Sequence, residues 1–288
     1  SKFWGKDTLG SQKFLEKEGS GSLVIGPAGE NLVSFANICS GHRFFGRGGM
    51  GAVLGAKKLK GMVAVGKEVK IIPANIKKLK RASHKLKRYI NSNPMTSVLY
   101  RNYGTLANVN LCNTAGILPV RNFASGSHDD ASRVSGEKIT ETFKTKYSTC
   151  KHCTILCGHK FVADGKERKV PEYETTGLLG TNLEIFDPVV IAEWNEICTE
   201  MGMDTISVGG TLAWAMEAEE KKIFKSGLRF GSPAGVSDML RDIALKRGKG
   251  KELAAGTRAL SDKYGGKAFA IQVKGMELAA YDPRGAVG

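Results

Sequence analysis

Three cysteines fall within eight residues, in the run Cys150-Lys151-His152-Cys153-Thr154-Ile155-Leu156-Cys157, and this octet constrains the chain more than any other feature. C-x2-C-x3-C spacing puts to full use only a backbone that bends around a shared inorganic centre. Thiolates are the preferred protein ligands of iron–sulfur clusters. The run supplies three ligands, so a fourth must come from Cys39, Cys112 or Cys198, from His152 or His159, or from outside this stretch. Zinc is the alternative, although structural zinc sites pair two C-x2-C knuckles or add two close histidines, and no second knuckle is present. Buried or redox thiols with no metal are a third reading. A disulfide framework fits poorly, because six cysteines in 288 residues are sparse and three of them crowd together. The spacing also departs from the bacterial ferredoxin run, so a small electron carrier is not indicated.

The chain is long enough for one large or two ordinary domains, and 41% hydrophobic with 25% charged residues suits a soluble globular protein. No apolar run is long enough to span a bilayer. Free thiols without a targeting segment point to a reducing cytoplasm. The chain opens at Ser1-Lys2-Phe3-Trp4 and stops in a turn-like Pro283-Arg284-Gly285-Ala286-Val287-Gly288, so the expectation is a piece of a longer polypeptide.

Forty-three Lys and Arg against 28 Asp and Glu give a formal charge of +15. Such an excess suits nucleic acid, an anionic cofactor or an acidic protein partner. In the densest stretch, Lys67 to Arg88, Ile76, Leu79, Ser83, Leu86 and Ile90 recur at helical spacing. This predicts an amphipathic helix with a solvated basic side. No aromatic residues interleave as a stacking surface for nucleic acid would require, so none is expected as a partner.

Leu23 to Ile25 reads as a strand before a turn at Gly26-Pro27-Ala28-Gly29, and Leu32 to Ile38 as another. A glycine cluster, a short helix to Lys58 and a strand at Met62 to Val65 follow. After Pro73 the texture becomes helices and loops, with a polar loop from Pro119 to Ser135. Asp187-Pro188 is an N-cap with proline at the first helical position. Val190, Ile191, Trp194, Ile197, Cys198 and Met201 form one apolar stripe, closed by Gly202. Further helices fit 205–222, 238–247 and 252–264, with a short strand over 270–273.

Gly46-x-Gly48-x-x-Gly51 matches the dinucleotide-binding fingerprint literally, and Glu68 lies 22 residues after Gly46. The helix that follows is short for a parallel crossover, and His42, Arg43 and Arg47 crowd positive charge beside it. Bare glycines among arginines suit close main-chain approach to a multiply charged phosphate, with a purely structural turn as the alternative.

Six blocks in order, covering essentially the whole chain, carry a resemblance. They are Ile25-Gly26-Pro27-Ala28-Gly29-Glu30-Asn31; Gly41-His42-Arg43 with Gly46-Arg47-Gly48-Gly49-Met50-Gly51-Ala52-Val53; and Cys150-x2-Cys153-x3-Cys157-Gly158. The others are Pro171-Glu172-Tyr173-Glu174, Met201-Gly202-Met203-Asp204-Thr205-Ile206-Ser207 and Ala280-Tyr281-Asp282-Pro283-Arg284-Gly285-Ala286. Together they resemble the tungsten-dependent aldehyde:ferredoxin oxidoreductases, and the nucleotide fingerprint gives way to that reading.

The resemblance implies an α+β fold and a central fragment. Residues 1–70 would end a β-rich first domain, 71–275 would form a mainly helical second domain, and 276–288 would open a third that holds the fourth cluster cysteine. It implies tungsten or molybdenum between two pterin dithiolenes, magnesium bridging the pterin phosphates, and a [4Fe–4S] cluster on Cys150, Cys153 and Cys157. Arg43 and the main chain of Phe44 and Gly46 would hold phosphates and magnesium, and Met203 and Asp204 the pterin. Thr199 stands where the D-x-x-G-L-D motif has its first aspartate, which puts one pterin contact in doubt. Glu174 aligns with a carboxylate beside the metal and would act as general base. Glu193-x-x-Glu196 stands where some members bind an extra metal between subunits, and here it reads as solvated glutamates. The implied reaction is oxidation of an aldehyde to a carboxylate with ferredoxin as acceptor, in a homo-oligomer. Alternatives are another chemistry of the same fold (an aryl-CoA reductase subunit or a sugar-phosphate oxidoreductase) and a non-catalytic iron–sulfur electron-transfer subunit.

Overall fold

The computed structural model describes residues 2–16, 20–66 and 72–285. Glu68, the 70/71 boundary, the start of the basic stretch, Ser1 and residues 286–288 lie outside the described residues. The architecture is α+β. The first part is helix α1 (Thr8–Leu15), then β1 (Ser20–Ile25), α2 (Pro27–Glu30), β2 (Ile38–Ser40), β3 (Arg43–Phe45), α3 (Met50–Ala56) and β4 (Gly61–Val65). Its strands form one antiparallel sheet in the order β3-β2-β1-β4.

Two local expectations are corrected here. The turn after β1 is the one-turn helix α2, with proline at its first position. Leu32 to Ile38 is not a strand: Leu32 has φ 57°, and the sheet begins only at Ile38. The backbone bonds of this segment leave the sheet instead. Ser34 N–H donates to Ala254 O (2.9 Å), Asn37 N–H to Gly202 O (2.9 Å), and Asp204 N–H to Phe35 O (3.0 Å). A hydrophobic segment that is buried on all sides reads as a strand by composition, while its hydrogen bonds are decided by distant partners.

The glycines of the cluster divide into two kinds. A Cβ on Gly55 would lie 1.8 Å from Gly29 O, and one on Gly51 would lie 2.3 Å from Asn37 O, so these two let α3 press main chain to main chain on α2 and its neighbour loop. Gly46 and Gly48 face open space, with nothing within 4 Å of an added Cβ.

The second part continues with α4 (Ile76–Ser92), α5 (Tyr100–Tyr103), α6 (Ala107–Thr114) and α7 (Gly136–Thr142). A second antiparallel sheet, unforeseen in the sequence, follows: β5 (Thr145–Tyr147), β6 (His159–Ala163) and β7 (Lys166–Lys169), in that order. Then come α8 (Tyr173–Leu179), α9 (Pro188–Met201), α10 (Thr205–Glu220), α11 (Val236–Leu245), α12 (Gly250–Leu253) and α13 (Gly256–Tyr264), with a β8 (Gln272–Val273) and β9 (Met276–Glu277) hairpin. The expected 252–264 helix is therefore two helices, broken where Gly256 takes φ 81° and Thr257 N–H turns to Glu277 Oε1.

The α9 signals hold. Asp187 Oδ1 accepts from Val189 N–H (2.8 Å), and Gly202 closes the helix at φ 78°. Helix α10 is buried almost throughout, from Ser207 to Met216, and forms the centre of a continuous core that also takes in Val33 and Phe35 from the first part. Gly209 lets α10 meet the backbone of Leu178 in α8. The α9–α10 turn is thus pinned between the core and the 35–37 segment. No helix among the described residues is long and apolar enough to cross a membrane.

Candidate redox cofactor site

The thiol run is the long connection of the β5–β6 hairpin. Ser148 N–H donates to Gly158 O (2.8 Å) at its neck, and a Cβ on Gly158 would sit 2.1 Å from Ser148 O, so that position needs glycine. Within the loop Cys153 N–H donates to Cys150 O (3.1 Å), while His152 and Leu156 adopt φ 63° and 64°. Left-handed residues at a bulky leucine and a histidine cost energy, which neighbouring contacts must offset. One contact is visible: Arg101 Nη2 donates to Thr154 O (2.9 Å).

Cys150 is exposed, and Cys153 and Cys157 are half-buried. The N–H groups of Leu156 and Ile155 hold the Cys153 thiol below its ordinary pKa. Burial pushes Cys157 up, as do the negative charges of Glu172, Cys153 and Cys150. The three sulfurs are therefore in mutual electrostatic range. Among the described residues no three His, Cys, Asp or Glu side chains close to the spacing of a single ion. The other in-chain thiols are buried elsewhere: Cys39 beside Gln12, Cys112 near Tyr173, and Cys198 inside α9. Burial raises the Cys39 pKa to about 11, the mark of a structural rather than a reactive thiol.

The glycine-bearing loop ties the thiols to the helical part. Arg43, on β3, donates from Nη2 to Cys150 Sγ. Four residues on, Arg47 donates from Nε to Asp204 Oδ2 (2.9 Å), and from Nη2 to Glu277 O (2.6 Å) and Ser207 Oγ (3.3 Å). Between them Phe44 is exposed, and Gly46 leaves its backbone accessible. Asp204 is 5% exposed and caps α10 through Oδ1, which accepts from Ile206 N–H (3.1 Å). Met203 bridges to Ala36. The carbonyl of Thr199 accepts from Thr8 Oγ1 (2.8 Å), so this position helps dock α1 on α9.

Glu174, in the first turn of α8, accepts from Ala280 N–H at Oε2 (2.9 Å). Burial raises its pKa above the ordinary glutamate value, and Asp204 adds to the rise, while the Ala280 N–H and Arg47 oppose it. Glu174, Arg47 and Asp204 thus sense one another. The sequence set Arg47 with His42 and Arg43 beside the bare glycines, in a pattern suited to a phosphate, but named no partner for it; in the structure it is the hub of this network. The 340 Å³ cleft beside the second sheet is lined by Asn102, Tyr103, Lys146, Tyr147 and His159, and neither Arg43 nor Asp204 reaches it. Glu193 and Glu196 are paired rather than simply solvated: Arg168, 7% exposed, reaches both at 2.8 and 2.9 Å.

The residues fit the implied groups in donor chemistry. Gly46 and Gly48 face open space beside Arg43, which reaches the thiol loop, and Asn37 Oδ1 is a buried acceptor lacking a hydrogen-bond partner next to the Gly202–Asp204 turn. A thiolate trio joined through an arginine-and-glycine loop to a buried acid is the arrangement of a redox cofactor protein. Residues 1–66 match the family model "Aldehyde ferredoxin oxidoreductase, N-terminal domain", and residues 81–288 match "Aldehyde ferredoxin oxidoreductase, domains 2 & 3". The chain belongs to the aldehyde ferredoxin oxidoreductase family. It is 38% identical over 302 residues to the tungsten-containing aldehyde ferredoxin oxidoreductase of Pyrococcus furiosus, covering 100% of this chain and 50% of that protein. The Thermococcus kodakarensis protein of that name is 39% identical over 302 residues, with the same coverage. An aliphatic sulfonate oxidoreductase WOR-like subunit of P. furiosus is 29% identical over 280 residues, covering 91% of this chain and 44% of that one. The chain spans about half the length of the curated relatives it matches. In fold it is similar to the BamBC active-site complex of benzoyl coenzyme A reductase, with TM-score 0.75 and 24% identity over 96% of this chain and 46% of that one.

Proposed function

We propose that the full-length protein is a tungsten (or molybdenum) bis-pterin and [4Fe–4S] oxidoreductase that oxidises an aldehyde to a carboxylate and passes electrons to ferredoxin. Residues 1–70, 71–275 and 276–288 are read as the end of its first domain, its second domain and the start of its third. One observation carries this reading. Arg43 and Arg47, four residues apart, contact Cys150 and Asp204 respectively, so the thiol loop, the open glycines and the acid beside Glu174 form one continuous surface. The tungsten-containing aldehyde ferredoxin oxidoreductases to which the chain is similar support the choice of metal, substrate class and acceptor.

Arg43 and the main chain of Phe44 and Gly46 would hold the pterin phosphates and magnesium, Met203 and Asp204 the pterin, and the three cysteines the cluster. Arginine offers phosphate a planar fork, and glycine lets the main chain approach it. When bound, the metal–pterin centre supplies two-electron acceptance, and the cluster hands electrons on singly. The net change is aldehyde plus water to carboxylic acid, two protons and two electrons. Glu174 takes one of those protons. Oε2 is held by the Ala280 N–H, which leaves Oε1 to receive it from water or the aldehyde hydrate. Burial raises the Glu174 pKa above the ordinary glutamate value and so makes it a stronger base than an exposed carboxylate.

The test is metal and pterin analysis of the full-length protein beside aldehyde turnover. Tungsten or molybdenum with pterin and a [4Fe–4S] cluster supports the reading, and iron alone ends it. Replacing Cys157 by Ser should remove iron, whereas Cys112→Ser should keep it. Glu174→Gln should depress turnover with metal content intact, and unchanged turnover would remove Glu174 from the mechanism.

A further inference from the structure

Helix α4 is the one long helix with no buried residue among those described. It carries Lys77, Lys78, Lys80, Arg81, Lys85, Lys87 and Arg88 and no acidic residue, and the sequence holds no Asp or Glu at all between Glu68 and Asp129. Helices usually intersperse carboxylates to relieve such self-repulsion. Among the described residues none of these seven cations is within ion-pair distance of a carboxylate: the recorded ion pairs lie elsewhere. Arg81, Lys85 and Arg88 share one exposed face of α4, with His84 and Tyr89 beside them. The apolar residues Ile76, Leu79 and Leu86 lie on the opposite side, so covering them would leave the basic face free.

The position of this helix gives the charge a use. Arg101 Nη2 bridges Asn91 Oδ1, in the last turn of α4 (3.0 Å), to Thr154 O in the thiol loop (2.9 Å). Lys151 and His152 of that loop are exposed as well. A cationic collar therefore starts at the cysteines and runs onto the basic face of α4.

We propose that the basic face of α4, with Lys151 and His152, is the docking surface for an acidic one-electron carrier protein, which it seats against the thiol loop. The inference rests on the redox function proposed above and names where the carrier binds. With the proposed cluster held by Cys150, Cys153 and Cys157, each encounter would pass one electron from it to the oxidised cluster of the carrier, so two carriers would be reduced per aldehyde. Opposed charge at such a surface raises the encounter rate and makes it depend on salt. An anionic membrane would also attract a basic amphipathic helix, but the bridge to the thiol loop has no role in that case.

The experiment uses the metal-loaded full-length protein and its Arg81→Glu/Lys85→Glu/Arg88→Glu variant. The probes are an acidic [4Fe–4S] ferredoxin, benzyl viologen, and phosphatidylglycerol vesicles. Expected is a rise of about tenfold or more in KM for ferredoxin and loss of its salt dependence, with the viologen rate unchanged. A matching Arg81→Gln/Lys85→Gln/Arg88→Gln variant should fall between, and it keeps the test valid should charge reversal disturb folding. A ferredoxin KM within about twofold of the parent overturns the proposal, and vesicle binding that the variant abolishes while ferredoxin KM stays put assigns the face to lipid instead. Failure of the redox reading is separate: no aldehyde-dependent viologen reduction ends that reading, while calorimetric titration of ferredoxin onto parent and variant still decides whether α4 binds it.

Discussion

Replacing Arg47 by Met removes a guanidinium that serves three acceptors on two elements: Asp204 Oδ2, Ser207 Oγ and the Glu277 carbonyl. Methionine keeps much of the stem, so packing changes little and the loss is electrostatic. Asp204 is 5% exposed and Arg47 27% exposed, so the pair is buried on one side and partly screened on the other. Breaking a fully buried pair costs about 3–5 kcal/mol, and partial exposure of Arg47 brings this towards about 2. The orphaned Glu277 carbonyl adds about 1 kcal/mol, and the longer Ser207 bond adds little. The expected destabilisation is about 3 kcal/mol. Urea unfolding of cofactor-free protein, followed by fluorescence of the buried Trp194 and Trp214, measures it. Arg43→Met is the control, since that residue is exposed and touches only the thiol loop; it should cost less than about 0.5 kcal/mol. If Arg47→Met costs no more than the control, the network is incidental and the argument that Arg47 clamps the two parts is wrong.

Glu174 gives a pH prediction. Its folded pKa lies above the ordinary value, so the folded state binds the extra proton and stability falls as pH rises through the window above about 4.5. Cofactor-free Glu174→Gln should therefore gain on the parent progressively in urea midpoints as pH rises above the ordinary glutamate range, and parallel curves would contradict the burial argument. Gly55→Ala forces a methyl onto Gly29 O and should cost about 2 kcal/mol or more in thermal unfolding, whereas Gly46→Ala meets nothing and should cost under about 1. Equal losses at the two glycines would remove the division between packing and open positions. Asp187→Ala should cost about 1 kcal/mol through lost capping of α9, and an unchanged urea midpoint would refute it.

Much of the fold was legible where signals are local. The Asp187-Pro188 start and Gly202 stop of α9, the stripe through Ile191, Trp194 and Cys198, and α3 after the glycines all follow from caps and periodicity. The second sheet escaped because Thr145–Tyr147 and Lys166–Lys169 are short and lysine-rich, with no alternation to see. Leu32 to Ile38 misled because its hydrogen bonds go to residues near 202 and 254, which no window of sequence contains. At the site, the thiol spacing and the acids in the matching blocks were readable. The triple engagement of Arg47 was not, because it depends on α10 and β9 arriving beside the same loop.

The Arg47 clamp has a consequence for how the protein matures. Its three acceptors sit more than 150 residues downstream of the loop that carries it, so this junction cannot exist until both parts have docked. Were the proposed cofactor to bind here, it would do so late, onto an already assembled scaffold, and would lock a junction that one arginine had been holding provisionally.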